Sequence, residues 1–303
     1  MGEQRWVRSS LRHLSARLTE ARHPASPPTV GRLLRDMDYS LRVNAKQKEG
    51  APHPDRDEQF EHINEQVEAF RSAGQPIISV DTKKKELIGD FKNPGQAWCQ
   101  AAERVNVHDF LNDGLGRAVP YGVYDVLHNH GYVGVGISGD TPQFAVEVIA
   151  QWWQQEGRQS FPCENRLLIL ADGGGSNGYQ PRDWKRQLQE QLCDGLGLAV
   201  TVCHYPTGCS KWNPIEHRLF NHISLNWAGQ PLRTWDIMLA YLRGTTTSTG
   251  LTVSASLLEG DYPKGQSVSD AEMAQLNLER DSVCPKWNYT LRPRPTTTVP
   301  DST

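Results

Sequence analysis

The sequence predicts an α/β protein in which a mixed sheet carries helices on its faces and follows a small basic helical region. Two observations predict the sheet. From residue 75 onward short apolar runs alternate with segments of helical periodicity, and several runs are as continuous as buried strands. The third observation is charge. Residues 1–50 hold ten Lys or Arg and five Asp or Glu, whereas the whole chain has a net charge of −3, so the rest carries −8. This division indicates either a basic arm that faces DNA or a solvated helix face.

Two helices are predicted in the basic region. The first spans residues 4–22, where apolar side chains recur at helical spacing, namely Trp6, Leu11, Leu14 and Leu18. A proline-rich break at 23–28 separates it from a short helix at 29–38, and the pair forms either a helix-turn-helix-like unit or a plain helical hairpin. The polar stretch 44–57 predicts a linker, and a third helix is predicted at 60–73.

The second part of the chain contains six predicted strands. They are the apolar runs at 76–81, 87–91, 122–126, 132–138, 167–172 and 198–204. Helices alternate with them: one begins at the Thr141-Pro142 cap, one follows around Trp184, and one spans 213–227. The last residues, 291–303, are rich in proline and threonine and predict a disordered tail.

Composition excludes several classes of protein. No run approaches the 18 uncharged apolar residues of a membrane helix, and the arginines near the N-terminus are not followed by the apolar segment of a secretion signal. Six cysteines without a CxxC pair fit reduced thiols better than a disulfide framework. We therefore expect a cytoplasmic protein without a membrane partner.

Three carboxylates follow structural elements in a pattern that suits a metal site. Asp81 and Asp172 each end a predicted strand, and Glu216 lies in the first turn of a predicted helix. Carboxyl ends of strands in open α/β sheets are where ligands bind, and oxygen ligands suit Mg²⁺ or Mn²⁺. Each residue also has a plain structural interpretation. A strand-end Asp commonly forms a turn, and Glu216, three residues after Asn213 with Pro214 between them, fits a capping box.

Two neighbouring segments bear on the functional interpretation. ADGGGSNG, at 171–178, follows a strand, and its glycines let the backbone approach a ligand closely, although it is not a phosphate-binding P-loop. Cys203, His204 and Cys209 would suggest zinc, but a second pair at ligand spacing is missing from the sequence.

Five segments together resemble the ISAzo-type insertion-sequence transposases, members of the DDE (Asp-Asp-Glu) transposase and retroviral-integrase superfamily. They are SVDTKKKELIGDFKNPG (79–95), VYDVLHNHGYVGVGIS (123–138), LADGGGSNG (170–178), SKWNPIEHRLFNHIS (210–224) and WNYTL (287–291). The resemblance covers roughly residues 5–291. It implies an RNase H-like core with a mixed five-stranded sheet. The implied activity is metal-dependent cleavage of DNA at the ends of a mobile element and transfer of the freed strand to a target.

The same resemblance implies the roles of individual residues. Asp81, Asp172 and Glu216 become the catalytic triad and the ligands of Mg²⁺ or Mn²⁺, with two ions expected. Asn177 and His217 are expected either to position a water or phosphate or only to form hydrogen bonds. DNA phosphates are expected to contact basic side chains, and the alternative for these is a solvated surface. The candidates are Arg5, Arg8, Arg12, Arg22, Lys83, Lys84 and Lys85.

The predicted organisation has four parts: a basic DNA-binding remnant at 1–45, a linker and helix at 46–74, a catalytic domain at 75–290 and the tail. The family carries a further helix-turn-helix before the matching part, so we expect recognition of element ends to be impaired. The alternatives to an active transposase are a truncated, non-transposing DNA-binding regulator and a hydrolase of small phosphate esters. The expected partner is DNA, at the element ends and the target, with a homo-oligomer forming on it at the nucleoid.

Overall fold

The structure, a computed structural model, describes residues 9–39, 53–96, 100–102, 104–107 and 114–295. The chain divides into two units, Met1–Pro52 and His53–Thr303. Within the described ranges, every helix is too short or too polar to traverse a lipid bilayer.

Residues 9–39, the described part of the smaller unit, form two helices, α1 (Leu11–Glu20) and α2 (Pro27–Asp36). Each begins at a serine whose side chain accepts a backbone N–H of the first turn: Ser10 accepts from His13, and Ser26 accepts from Thr29. The second helix begins two residues earlier than predicted because prolines are tolerated in the first turn, where a backbone N–H has no partner in the helix. Two helices joined by a short break are therefore confirmed within the described residues, but α1 is shorter than the predicted helix at 4–22, because Ser10 caps it.

Nine strands of the described residues form the sheet of the larger unit. They are β1 (Ile77–Thr82), β2 (Glu86–Ile88), β3 (Gly116–Asp125), β4 (His130–Gly136), β5 (Arg166–Ala171), β6 (Ala199–His204), β7 (Thr252–Leu258), β8 (Leu278–Arg280) and β9 (Asn288–Leu291). Their order is β7-β4-β3-β1-β5-β6-β9-β8, and β2 pairs with β3. β5 and β6 run parallel to β1, whereas β3 is antiparallel to all three strands that pair with it, β1, β2 and β4.

The mixed sheet confirms the predicted fold class, and it is wider than the five strands expected. Those five correspond to β4, β3, β1, β5 and β6, while β7 extends one edge and β9 with β8 extends the other. β7 is only partly buried and alternates with polar residues, so it lacks the continuous apolar run that predicted the central strands. β8 and β9 have three and four residues, too few for a clear periodicity.

Helices cover both faces of this sheet. They are α3 (Arg56–Ser72), α4 (Pro142–Trp152), α5 (Arg158–Ser160), α6 (Arg182–Gln187), α7 (Asn221–Asn226), α8 (Trp235–Arg243) and α9 (Asp270–Ala274). Side chains of α4 and α6 share a core cluster with Tyr132 of β4, whereas α7 and α8 share a second cluster with Val133. Neighbouring strand residues point to opposite faces, so the two clusters lie on opposite sides of the sheet.

Helix α3 belongs to the larger unit, whereas the predicted organisation placed it in a separate linker and helix at 46–74. Ile63 and Phe70 pack against Ile77 of β1 and neighbouring strand residues, and Gln59 Nε2 donates a hydrogen bond to the His204 carbonyl at 2.8 Å. At the other end Leu291, assigned to the tail, is fully buried as the last residue of β9. The larger unit therefore begins before residue 75 and extends to Leu291, because these segments pack on the sheet. Polar composition alone does not reveal such packing.

Candidate active site

The register of the central strands brings the two aspartates together. Val80 of β1 pairs with Ala171 of the parallel strand β5, so Asp81, the next-to-last residue of β1, and Asp172, directly after β5, lie side by side at the carboxyl ends of the two strands. The Thr82 N–H donates to Asp81 Oδ1 at 2.7 Å and orients that carboxyl group. Asp81 and Asp172 therefore occupy the place that the sequence analysis expected for them.

A glycine lets the third carboxylate approach. Glu216 begins a π-helical turn, Glu216–Phe220, that leads into α7. The turn packs over Gly122, which pairs with Asp81 across β1 and β3. A Cβ at Gly122 would lie 2.6 Å from Phe220 Cε1 and 2.8 Å from Ile215 Cδ1. Because no side chain fills this position, the segment that carries Glu216 packs closely on the sheet next to Asp81.

The three carboxylates affect one another electrostatically. Burial, and after it the charge of Asp172, raises the pKa of Asp81 to about 8. Burial and the charge of Glu216 raise the pKa of Asp172 to about 6. Burial raises the pKa of Glu216, and the charges of His217 and Lys83 partly offset this rise. Like charges held in a partly buried cleft favour a proton or a cation between them.

The donor set fits a hard divalent cation. Asp172 Oδ1 is buried and has no hydrogen-bond partner among the described residues, so it is an oxygen available to a ligand. Carboxylate oxygens are the donors that Mg²⁺ and Mn²⁺ prefer. In the part of the chain that the structure describes, no group of three His, Cys, Asp or Glu side chains is already close enough to hold a metal ion. The carboxylates are thus near one another without forming a preassembled cage.

The raised pKa of Asp81 predicts a pH-dependent stability in metal-free buffer. An unfolded Asp loses its proton near pH 4, whereas folded Asp81 keeps it up to about pH 8, so the folded state binds more protons between these values. We therefore expect the wild-type melting temperature to fall between pH 5 and pH 8. Asp81→Asn removes this contribution and should melt above wild type at pH 8, by more than at pH 5, in thermal unfolding with EDTA. Parallel curves for the two proteins would contradict the shift.

The structure separates the three lysines that follow Asp81. Lys83 is only 7% exposed, forms an ion pair with Glu86 at 3.2 Å and lies 4.6 Å from the centre of the Trp227 ring. Its expected role as a DNA contact is therefore not supported, because its ammonium group is buried and paired. Lys85 forms an ion pair with Asp140 at 3.3 Å and is half-buried. Lys84 is exposed and remains the best candidate for a phosphate contact.

Asp140 is a fourth carboxylate that the sequence analysis missed. It lines a cavity of about 510 Å³ together with Asp81 and Asp172, and it accepts a hydrogen bond from Thr82 Oγ1 at 3.1 Å. Its charge also contributes to raising the pKa of Asp81. One feature of the sequence could have identified Asp140: it lies four residues after β4. Both β4 and β1 are antiparallel to β3, so they are parallel to each other and their carboxyl ends lie at the same side of the sheet.

The two expected positioning residues differ in their surroundings. Asn177 is 1% exposed, and neither atom of its amide has a hydrogen-bond partner among the residues described. Such a buried amide requires a partner that these residues do not supply. His217 is exposed, hydrogen-bonds through Nε2 to the Lys211 carbonyl, and lines a second cavity of about 510 Å³ with Glu216. The basic residues Lys83, Lys84 and Lys211 also line that cavity.

His204 supports Asp172 from inside the core. Its Nδ1 donates to the Asp172 carbonyl at 2.9 Å, and Nε2 lies 3.1 Å from the Tyr289 hydroxyl. Complete burial lowers the pKa of His204 to about 3, which keeps the ring neutral. Both ring nitrogens are engaged, so the zinc interpretation of Cys203, His204 and Cys209 finds no support.

The candidate arginines of the basic region fall into two groups. Arg12 and Arg22 are exposed in the smaller unit. Arg5 and Arg8 lie outside the described residues.

Comparisons with known proteins identify a family. The sequence profile of the Rhodopirellula transposase DDE domain matches residues 1–293. No curated protein matches the chain. Among solved structures, the chain is similar to the Mos1 transposase paired-end complex with the left transposon end, with 14% identity, 80% of this chain and 72% of that chain covered, and a TM-score of 0.45. It is also similar to the Mos1 strand transfer complex, with 14% identity, 80% of this chain and 71% of that chain covered, and a TM-score of 0.46.

Proposed function

The chain belongs to the family of transposase DDE domains, and we propose that it cleaves DNA at the ends of a mobile element and joins the freed 3′-hydroxyl to a target. The observation that carries this proposal is the convergence of three carboxylates at one edge of the sheet. Asp81 lies at the carboxyl end of β1, Asp172 directly follows the paired parallel strand β5, and Glu216 approaches over Gly122. Carboxylates whose pKa values are raised in a cleft are typical of catalytic sites.

Asp81, Asp172 and Glu216 would hold Mg²⁺ or Mn²⁺, and we propose two ions. When bound, such ions activate the attacking oxygen and stabilise the leaving oxygen of an in-line phosphodiester displacement. The protein itself orients the donors. The Thr82 N–H holds the Asp81 carboxyl group, and neutral His204 holds the backbone of Asp172. Exposed Lys84 and Lys211 would neutralise DNA phosphates beside the triad.

A DNA-binding regulator without strand transfer is the second candidate function. A regulator needs basic surfaces but has no use for coupled carboxylates with an unpartnered buried oxygen, so the site favours catalysis. The two are distinguished by incubating purified protein with the element's own terminal DNA in Mg²⁺. The transposase releases a cut strand and joins it to target DNA, whereas the regulator binds the DNA and leaves it intact.

We propose that the basic region, residues 1–45, binds DNA through phosphates and that the protein oligomerises on DNA. Replacing Arg5, Arg8, Arg12 and Arg22 by Gln should make the log-log salt slope of DNA binding shallower by about 0.9 for each phosphate that the variant no longer neutralises. Phosphate contacts carry no sequence information, so the affinities for element-end and scrambled duplexes should fall alike. Fluorescence anisotropy at several salt concentrations measures both.

The matched control replaces Arg32 and Arg35, exposed arginines of α2, by Gln. An equal change of slope for each charge removed in the control would show diffuse attraction rather than contacts at the four named positions. A strong preference of the intact protein for the element end would show that recognition survives in this chain.

A further inference from the structure

Two fully buried polar side chains connect the strand of Asp81 to the turn of Glu216. The Ser79 hydroxyl donates to Asn213 Oδ1 and accepts the N–H of Ile215 at 3.0 Å. Asn213 Nδ2 donates to the Val80 carbonyl at 3.1 Å. The side chain of Asn213 is thus directed to β1. The sequence pattern fitted a helix cap, but this side chain does not cap its own helix.

The position of this cluster relates it directly to the candidate site. Ser79 lies two residues before Asp81, so both side chains point to the same face of β1. Asn213 lies three residues before Glu216, and its carbonyl accepts the Glu216 N–H at 3.1 Å. Three hydrogen bonds shielded from water therefore join the residues just before Asp81 to the residues just before Glu216.

Apolar packing alone does not define this geometry. Ile215, Leu219 and Phe220 press the turn onto the sheet, but hydrophobic contacts are non-directional and tolerate small displacements. Hydrogen bonds with defined donors and acceptors set the position along the strand. A displacement of about 1 Å at a catalytic site is enough to lower a rate about 100-fold.

We propose that Ser79 and Asn213 are positioning residues that hold Glu216 at a fixed place relative to Asp81, so that both carboxylates reach the same divalent cations. This inference rests on the proposed function. It goes beyond the triad, because both residues are fully buried and would act through the backbone of their neighbours.

The experiment compares Asn213→Ala, Ser79→Ala and the conservative Ser79→Thr with wild type. Two quantities are measured: the cleavage rate at saturating element-end DNA in Mg²⁺, and the affinity for Mn²⁺ without DNA. We expect both alanine variants to cleave about 10–100-fold more slowly and to bind Mn²⁺ more weakly by a similar factor, with DNA affinity unchanged. Ser79→Thr keeps the hydroxyl and should recover most of both.

Gln189→Ala is the matched control. Gln189 is fully buried and also makes three hydrogen bonds, to Asp194, Arg292 and Asn277, away from the triad. It should lower the melting temperature as the test variants do and leave the cleavage rate and Mn²⁺ affinity of the folded protein unchanged. The proposal is overturned if Asn213→Ala and Ser79→Ala behave like this control, or if Ser79→Thr recovers nothing. If the wild type does not cleave DNA at all, the proposed function is refuted. The Mn²⁺ affinities of the variants then decide by themselves whether Ser79 and Asn213 position Glu216.

Discussion

Asp81→Asn, Asp172→Asn and Glu216→Gln should each lower strand cleavage in Mg²⁺ by about a thousandfold or more. Each substitution removes one charged oxygen donor from the edge where the three side chains converge. Metal stabilisation of the transition state is worth several kcal/mol, and about 4 kcal/mol corresponds to a thousandfold in rate. Single-turnover cleavage of labelled element-end DNA measures the loss.

Stability distinguishes this result from unfolding. Removing one of three mutually repelling carboxylates should leave the melting temperature unchanged or raise it in metal-free buffer. Asp125→Asn is the control. Asp125 is a buried carboxylate that pairs with Ile78 near the start of β1, whereas the candidate site lies at the carboxyl end of β1. It should cost stability, since it disturbs the contact with His128, and should leave cleavage intact. Near wild-type cleavage by any triad variant would remove that residue from the site.

Gly122→Ala should strongly impair cleavage without changing any chemical group of the site. The new methyl group would lie 2.6 Å from Phe220 Cε1, so the turn that carries Glu216 has to shift away from β3. Overpacking of this kind costs about 1–3 kcal/mol of stability, and a displacement of about 1 Å can lower the rate about 100-fold. The cleavage rate of the folded fraction and the melting temperature are both measured.

Gly134→Ala provides the comparison for Gly122→Ala. A Cβ at Gly134 would lie 2.4 Å from Val148 Cγ2 of α4, so the crowding is similar but involves a different helix. We expect a comparable loss of stability with cleavage largely retained. Equal losses of cleavage in the two variants would mean that the rate follows general stability and not the position of Glu216.

The central strands, and the positions of the carboxylates at their ends, were predictable because burial leaves a direct trace in the sequence. β1, β5 and β6 lie inside the sheet, so their residues form continuous apolar runs. A carboxylate follows each run: Asp81 is the next-to-last residue of β1, and Asp172 comes directly after β5. Glu216 was predictable as part of a motif, although its local pattern fits a helix cap equally well.

The roles of the surrounding residues depended on contacts between distant parts of the chain. Lys83 and Lys84 are neighbours with the same charge, yet one is buried against Trp227 and the other is exposed. Asp140 lies near Asp81 because β4, which precedes it, runs parallel to β1. Asn213 donates a hydrogen bond to the carbonyl of Val80, which is more than a hundred residues away in the chain. The sequence by itself determined the central strands and the acidic residues at their carboxyl ends, since buried strands form continuous apolar runs. Only the tertiary structure decided which charges are buried, paired or exposed, because strand pairing and helix packing between remote segments set each side chain's solvent exposure and its partners.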